Sequence, residues 1–122
     1  MLHVVLFTPR PDLTGADRQT FGRSLDHAFT SIPSVRRFQI GRRIRTGAAY
    51  DQLPGDFDFC AVIEFDDPAG LREYLTHSAH AELGRLFYAT SRSAFAADYE
   101  AVDTAPAQAL AAWHAADHAE GG

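Results

Sequence analysis

The sequence predicts an α+β domain of the ferredoxin-like, split βαβ kind, with a four-stranded antiparallel sheet and the element order β-α-β-β-α-β. Three observations lead there. Stretches rich in β-branched and aromatic residues, near Leu2–Phe7, Val35–Ile44, Phe57–Phe65 and Ala94–Val102, carry strand-like patterning. Apolar residues recur at helical spacing after the first and third of these. Finally, 122 residues that are 46% hydrophobic and 22% charged suit one globular domain, which buries roughly two thirds of its unfolded surface.

Each element has its own signals. The opening Leu2-His3-Val4-Val5-Leu6-Phe7 ends at Thr8-Pro9-Arg10-Pro11, and alternation puts His3 on one face with Val5 and Phe7. Thr14 or Gly15 opens a helix through about Thr30, with Phe21, Leu25, Ala28 and Phe29 as a narrow apolar stripe and Pro33 just past its end. In the second strand Phe38, Ile40, Arg42 and Ile44 alternate with Arg37, Gln39, Gly41 and Arg43, so one face is wetter than the other. Thr46 to Gly55 has turn residues at both ends and no periodicity, which reads as a loop long enough to be functional. The third strand is apolar on both faces, with Phe57, Phe59, Ala61, Ile63 and Phe65 on one and Cys60 and Val62 on the other. Asp66-Asp67-Pro68 then starts a short helix carrying Leu71, Tyr74 and Leu75, because aspartate accepts from free amides and proline suits the first helical position. A second helical piece from about Ala79 to Thr90 uses Leu83, Leu86 and Phe87. The last strand places Phe95, Ala97 and Tyr99 on one face and Ala96, Asp98 and Glu100 on the other.

Composition narrows the function classes. A net charge of −5 gives no general attraction to nucleic acid or to an anionic membrane, so neither is an expected partner. Arg36, Arg37, Arg42, Arg43 and Arg45 could grip a carboxylate or phosphate, although a solvated strand face is the favoured reading. No apolar run approaches the roughly 18 residues of a membrane span, and the start lacks a signal-peptide pattern, so the expected location is the cytoplasm. Cys60, the one cysteine, cannot form an intrachain disulfide and reads as a small buried hydrophobe. Nucleotide-dependent, serine-hydrolase and thiol-redox motifs are absent from the sequence, and the lack of lysine removes Schiff-base chemistry.

Acid–base groups concentrate in Glu73-Tyr74-Leu75-Thr76-His77-Ser78-Ala79-His80. An imidazole titrates near about 6.5 and a phenol near about 10, so together they offer a neutral base beside a neutral donor. In one continuous helix, steps of three residues turn roughly 300°, which lets Tyr74, His77 and His80 face a common volume. If Ser78 instead caps a second helix, His77 sits at the junction and His80 stays near Tyr74. His80 and Tyr74 are therefore the candidate catalytic pair. His3 and His77 are candidate supporting donors, or the partners that fix the tautomer of His80. Phe21, Leu25 and Phe87, with the Thr46 to Gly55 loop, are expected to shape the pocket. A purely structural role, in which Tyr74 and His80 bridge helix to sheet through satisfied hydrogen bonds, is the competing reading. A metal held by His3, His77 and His80 lacks a clear carboxylate or cysteine partner, so no metal or cofactor is expected. His114 and His118 are expected to be solvated.

A sheet of this topology carries its helices on one face only, yet strands one and three are apolar on both. The uncovered face would be a large apolar patch, so two copies are expected to pack on it as a two-fold homodimer. Beyond the domain of residues 1–102 the chain becomes Ala-rich. This tail, 103–122, is expected to be mobile or docked on a partner, with Leu110 and Trp113 in a short helix.

The start Leu2–Phe7, the join Glu64-Phe65-Asp66-Asp67-Pro68, the block Tyr74 to His80 and the closing Ala97-Asp98-Tyr99 resemble the stress-responsive dimeric α/β-barrel (Dabb) family over about residues 1 to 102. The resemblance implies a homodimer whose two sheets form a barrel, with a pocket between each sheet and its helices. It further implies kinship with one plant branch, the olivetolic acid cyclase type, which folds and cyclises a polyketide without metal or cofactor. The tyrosine and histidine that carry that chemistry fall on Tyr74 and His80, and a pocket-lining histidine falls on His3. Two departures bear on substrate choice: Ser78 stands where the family usually has proline, and the lead from Ile44 to Phe57 is long. The implied function is to bind a small apolar, aromatic or polyketide-like molecule, with cyclase-like acid–base chemistry. In that chemistry His80 takes a proton from carbon beside a carbonyl while Tyr74 holds the oxygen. The alternatives are a non-enzymatic structural homo-oligomer and, by fold analogy alone, a cofactor-free monooxygenase.

Overall fold

In a computed structural model that describes residues 1–112, the patterning resolves into β1 (Leu2–Pro9), α1 (Gly15–Ser31), β2 (Arg37–Arg42), β3 (Phe59–Glu64), α2 (Pro68–Thr76), α3 (Ser78–Thr90), β4 (Ser91–Tyr99) and α4 (Pro106–Ala111). The strands form one antiparallel sheet in the order β2-β3-β1-β4, the ferredoxin-like arrangement. The two strands apolar on both faces, β1 and β3, are its centre, where both faces are farthest from the edges. One face meets the helices. Ala61 and Ile63 of β3 pack there with Ala28 and Phe29 of α1, Leu71 and Tyr74 of α2, and Ala79 and Leu83 of α3.

Short polar sequences set the helix ends. Thr14 and Asp17 form a reciprocal capping box, each side chain accepting from the other's backbone N–H at 3.1 Å. Asp67 accepts from the Gly70 N–H at 2.9 Å and Pro68 is the first residue of α2. One residue then ends α2 and starts α3. The His77 N–H donates to the Tyr74 carbonyl at 3.3 Å, and its Nδ1 accepts from the Ala79 N–H at 3.0 Å. The cap is thus His77 rather than Ser78. Ser78 is the first residue of α3, a place that also suits proline, so a serine there leaves the junction intact.

Strand pairing moves several expected boundaries. β2 spans Arg37–Arg42 rather than Val35 to Ile44 because its partner β3 runs only from Phe59 to Glu64. β4 begins at Ser91, where α3 leads straight into it and Pro9 lies opposite, and it ends at Tyr99, where β1 runs out at Leu2. The long β2–β3 connection is more ordered than a plain loop. It contains a 3-10 turn, Ala49–Gln52, and the Asp51 carboxylate accepts from the Thr46 and Gly47 N–H groups at 3.1 and 3.0 Å. Gly47, with φ of 87°, takes a conformation that costs glycine little.

The arginine group around β2 is largely neutralised within the chain. Arg36 pairs with Asp66 at 2.8 Å, Arg37 with Glu64 at 3.3 Å, Arg43 with Asp56 at 3.1 Å, and Arg45 with Asp56. On the sheet face away from the helices, Leu2, Val4, Leu6 and Val62 are half-buried, while Phe95 and Tyr99 are each 51% exposed. Cys60 lies on this face and is half-buried, not enclosed as expected, because nothing in the single chain covers it. α4 forms with no buried residue and Leu110 exposed, whereas Trp113, His114 and His118 lie outside the described residues. No helix among the described residues is long and apolar enough to cross a membrane.

Candidate functional site

A cavity of about 250 Å³ opens between the helix-facing side of the sheet and the helices. Its floor is Val5 of β1, Ala61 and Ile63 of β3 and Ala96 of β4; α1 contributes Leu25 and Phe29, and α3 contributes Leu83 and Phe87. Three polar side chains enter this hydrocarbon wall: His3, Tyr74 and His80. Alternation along β1 aims His3 inward beside Val5. The His77 break between α2 and α3 turns the chain so that Tyr74 and His80, on separate helices, meet at a centroid distance of 4.7 Å with their rings tilted by 61°. The His3 ring lies 5.8 Å from Tyr74 on the other side.

Tyr74 is 2% exposed, wedged against Phe65 at 5.2 Å. Burial alone pushes its phenol well above the usual range, with no hydrogen bond or charge contributing. The hydroxyl is therefore a neutral donor not engaged by the described residues. His80 is half-buried. Desolvation pushes its pKa below the ordinary imidazole value, the neighbouring His3 pushes it further, and the Leu75 carbonyl works against both. A neutral imidazole is thus favoured at pH 7. His3, 8% exposed, donates from Nδ1 to Asp98 Oδ1 at 2.6 Å. That bond places a proton on Nδ1 and leaves Nε2 without a hydrogen-bond partner among the described residues.

The cavity gathers His3, Tyr74, His80, Leu25 and Phe87 and leaves out two other expected residues. His77 is absent from the lining, because its Nδ1 is engaged in capping α3. Phe21 lines a separate cavity of about 200 Å³ with Phe7, Phe59 and Leu25. The Phe87 ring of the first cavity packs edge-on against Phe7 of the second at 5.5 Å. Nor does the Thr46 to Gly55 loop reach the site. Thr46, Tyr50, Asp51 and Gly55 border a surface depression with Leu6, Gly41 and Cys60 of the outer sheet face. No three His, Cys, Asp or Glu side chains among the described residues are placed to hold a metal ion.

Asp98, the partner of His3, is a residue of the candidate site that sequence reasoning passed over. Its signal was faint: it shares a strand face with Ala96, and only the β1–β4 register sets it opposite His3. Tyr88, 85% exposed at the cavity mouth, was missed as well.

Residues 1–101 match the profile of the Stress responsive A/B Barrel Domain, Dabb. No curated protein matches the sequence. Among solved structures, a dimeric ferredoxin-like protein of unknown function from Thermobifida fusca is 20% identical with a TM-score of 0.64, covering 82% of this chain and 89% of that one. A hydroxynitrile lyase from Passiflora edulis is 14% identical with a TM-score of 0.73, covering 86% of this chain and 95% of that one. A mutant of SnoaB, a cofactor-independent oxygenase from Streptomyces nogalater, is 18% identical with a TM-score of 0.61 over 86% of this chain and 95% of that one. At these identities the likeness is one of fold.

Proposed function

The chain belongs to the Stress responsive A/B Barrel Domain family, and from that premise we propose that it binds a small organic molecule in the cavity between sheet and helices and moves a proton on it. The observation that carries this reading is the hydroxyl of Tyr74. A phenol this deeply buried ordinarily meets a hydrogen-bond partner within the protein. Here it meets an apolar cavity with a half-buried imidazole beside it. A role as a satisfied bridge between helix and sheet does not explain that arrangement.

In the proposed step the neutral ring of His80 takes a proton from the carbon next to a carbonyl. The Tyr74 O–H donates to the carbonyl oxygen as it becomes an enolate, and that bond strengthens as charge develops. The raised phenol pKa keeps the donor protonated, and the lowered imidazole pKa keeps the base free of a proton at neutral pH. His3 is a further polar group in the wall, and Asp98 is its positioning residue. Attack of such an enolate within the same molecule would be a cyclisation, consistent with the cyclase-like expectation. Two fold neighbours that are enzymes, a hydroxynitrile lyase and a cofactor-independent oxygenase, support the idea that a cavity on this fold can serve an enzyme.

We further propose a homodimer built on the outer sheet face. Support comes from the half-buried Leu2, Val4, Leu6 and Val62 beside exposed Phe95 and Tyr99, and from the dimeric state of the Thermobifida fusca neighbour. The test of the acid–base reading is Tyr74→Phe together with His80→Ala. Ligand binding or turnover should fall while the melting temperature holds; a large loss of stability with no ligand effect would return both residues to a structural role.

A further inference from the structure

We infer that the ligand of this cavity is an uncharged carbonyl compound, mainly hydrocarbon and about the size of one substituted ring. The inference rests on the acid–base reading above and narrows its substrate class. Charge is the first argument. The eleven basic residues of the chain are all arginines, all within the described residues, and none lines the cavity. The ionisable groups that do line it are His3, Tyr74 and His80, with the phenol of Tyr88 exposed at its mouth. Burial and His3 both favour the uncharged ring of His80, and burial holds the proton on Tyr74. The full charge nearest these groups is the Asp98 carboxylate bonded to His3, and its sign is negative. A carboxylate or phosphate entering here would give up its water without meeting an unpaired cation, since any proton charge on His3 is already matched by Asp98, and burying such a charge is costly.

Size is the second argument. About 250 Å³ falls just under the roughly 300–1,000 Å³ of pockets that take drug-sized ligands, so a ring with short substituents, or a short chain folded to that outline, fits and a long extended chain does not. Polarity is the third. One donor, Tyr74, and one acceptor, His80, converge in a wall that is mostly hydrocarbon apart from the Asp98-bonded ring of His3 and Tyr88 at the mouth. A ketone oxygen beside an acidic C–H matches that pair, whereas a carboxylate presents two anionic acceptors to a single donor.

Acetophenone and benzoate provide the test, because they share a phenyl ring and nearly the same shape, and a methyl group in one stands where the other has a charged oxygen. Each is titrated into the full chain at pH 8, with NMR following the His3, Tyr74 and His80 signals. Acetophenone should bind at least about tenfold more tightly than benzoate. Leu75→Arg, which adds a cation at a partly exposed wall position, should raise benzoate affinity relative to acetophenone affinity about tenfold. Equal or tighter binding of benzoate by the natural chain overturns the neutral-ligand inference and leaves the acid–base reading standing. A benzoate-to-acetophenone affinity ratio unmoved by Leu75→Arg in a folded variant overturns it too, since charge would then not govern entry. If neither compound perturbs the three signals, the cavity takes no such ligand and both readings fall.

Discussion

At the scale of single residues, the site is governed by what burial does to ionisable groups. Because the Tyr74 hydroxyl has no partner among the described residues, Tyr74→Phe should change stability by less than about 1 kcal/mol. Proton transfer should slow about 10²- to 10³-fold with the loss of an oxyanion donor. Calorimetry and deuterium exchange on a bound ketone check the two halves separately. The same burial sets the pH limits. The folded chain resists protonating His80, while the unfolded chain takes that proton near about pH 6.5, so stability is full above that value and is lost as pH falls below it. The folded chain also keeps the Tyr74 proton after the unfolded chain gives it up near about pH 10, so stability is lost again on the alkaline side. Denaturant midpoints measured across this range should show a plateau with two limbs. His80→Gln should flatten the acid limb and Tyr74→Phe the alkaline one.

At the scale of elements, the break at His77 is what makes the site. An uninterrupted helix from Pro68 to Thr90 would carry Tyr74 and His80 along one axis, whereas two helices joined at a single residue turn them toward each other. His77→Ala should cost about 1 kcal/mol, the usual value of a lost helix cap, while ligand affinity stays unchanged. A large drop in affinity without a matching drop in stability would restore His77 to the site. The helix starts at Thr14 and Asp67 were readable in advance because caps are local: a side chain bonds an amide two or three residues away. The ends of β2 and β4 were not. A strand stops where its partner stops, and the partner of β4 lies at the other end of the sequence.

At the scale of the whole molecule, the sheet divides the work between its faces. The inner face of β1 presents His3, Val5 and Phe7 to the helices, and the outer face presents Leu2, Val4 and Leu6 to the proposed partner copy. Val4 sits at the middle of the outer face, opposite Val62 on one side and Ala97 on the other. Val4→Lys should therefore turn the dimer into a monomer in sedimentation experiments, because burying an ammonium there has no compensating partner. The inner cavity should survive that change and still take acetophenone. A dimer of undiminished stability would move the interface to some other surface.

The sequence by itself determined the kinds and order of elements, the double-sided apolar character of the two central strands, and the pairing of Tyr74 with His80. Each of these follows from periodicity or from spacing over a few residues, and the physics behind them is local. Tertiary structure alone decided which other groups join them. Asp98 reaches His3 across 95 residues of sequence through strand register, and no local pattern encodes a register. His77 and Phe21 stand at plausible spacings, yet one is engaged as a helix cap and the other faces a second cavity. The reason is the same for both: spacing states which side of an element a residue is on, whereas packing between elements decides what lies on that side.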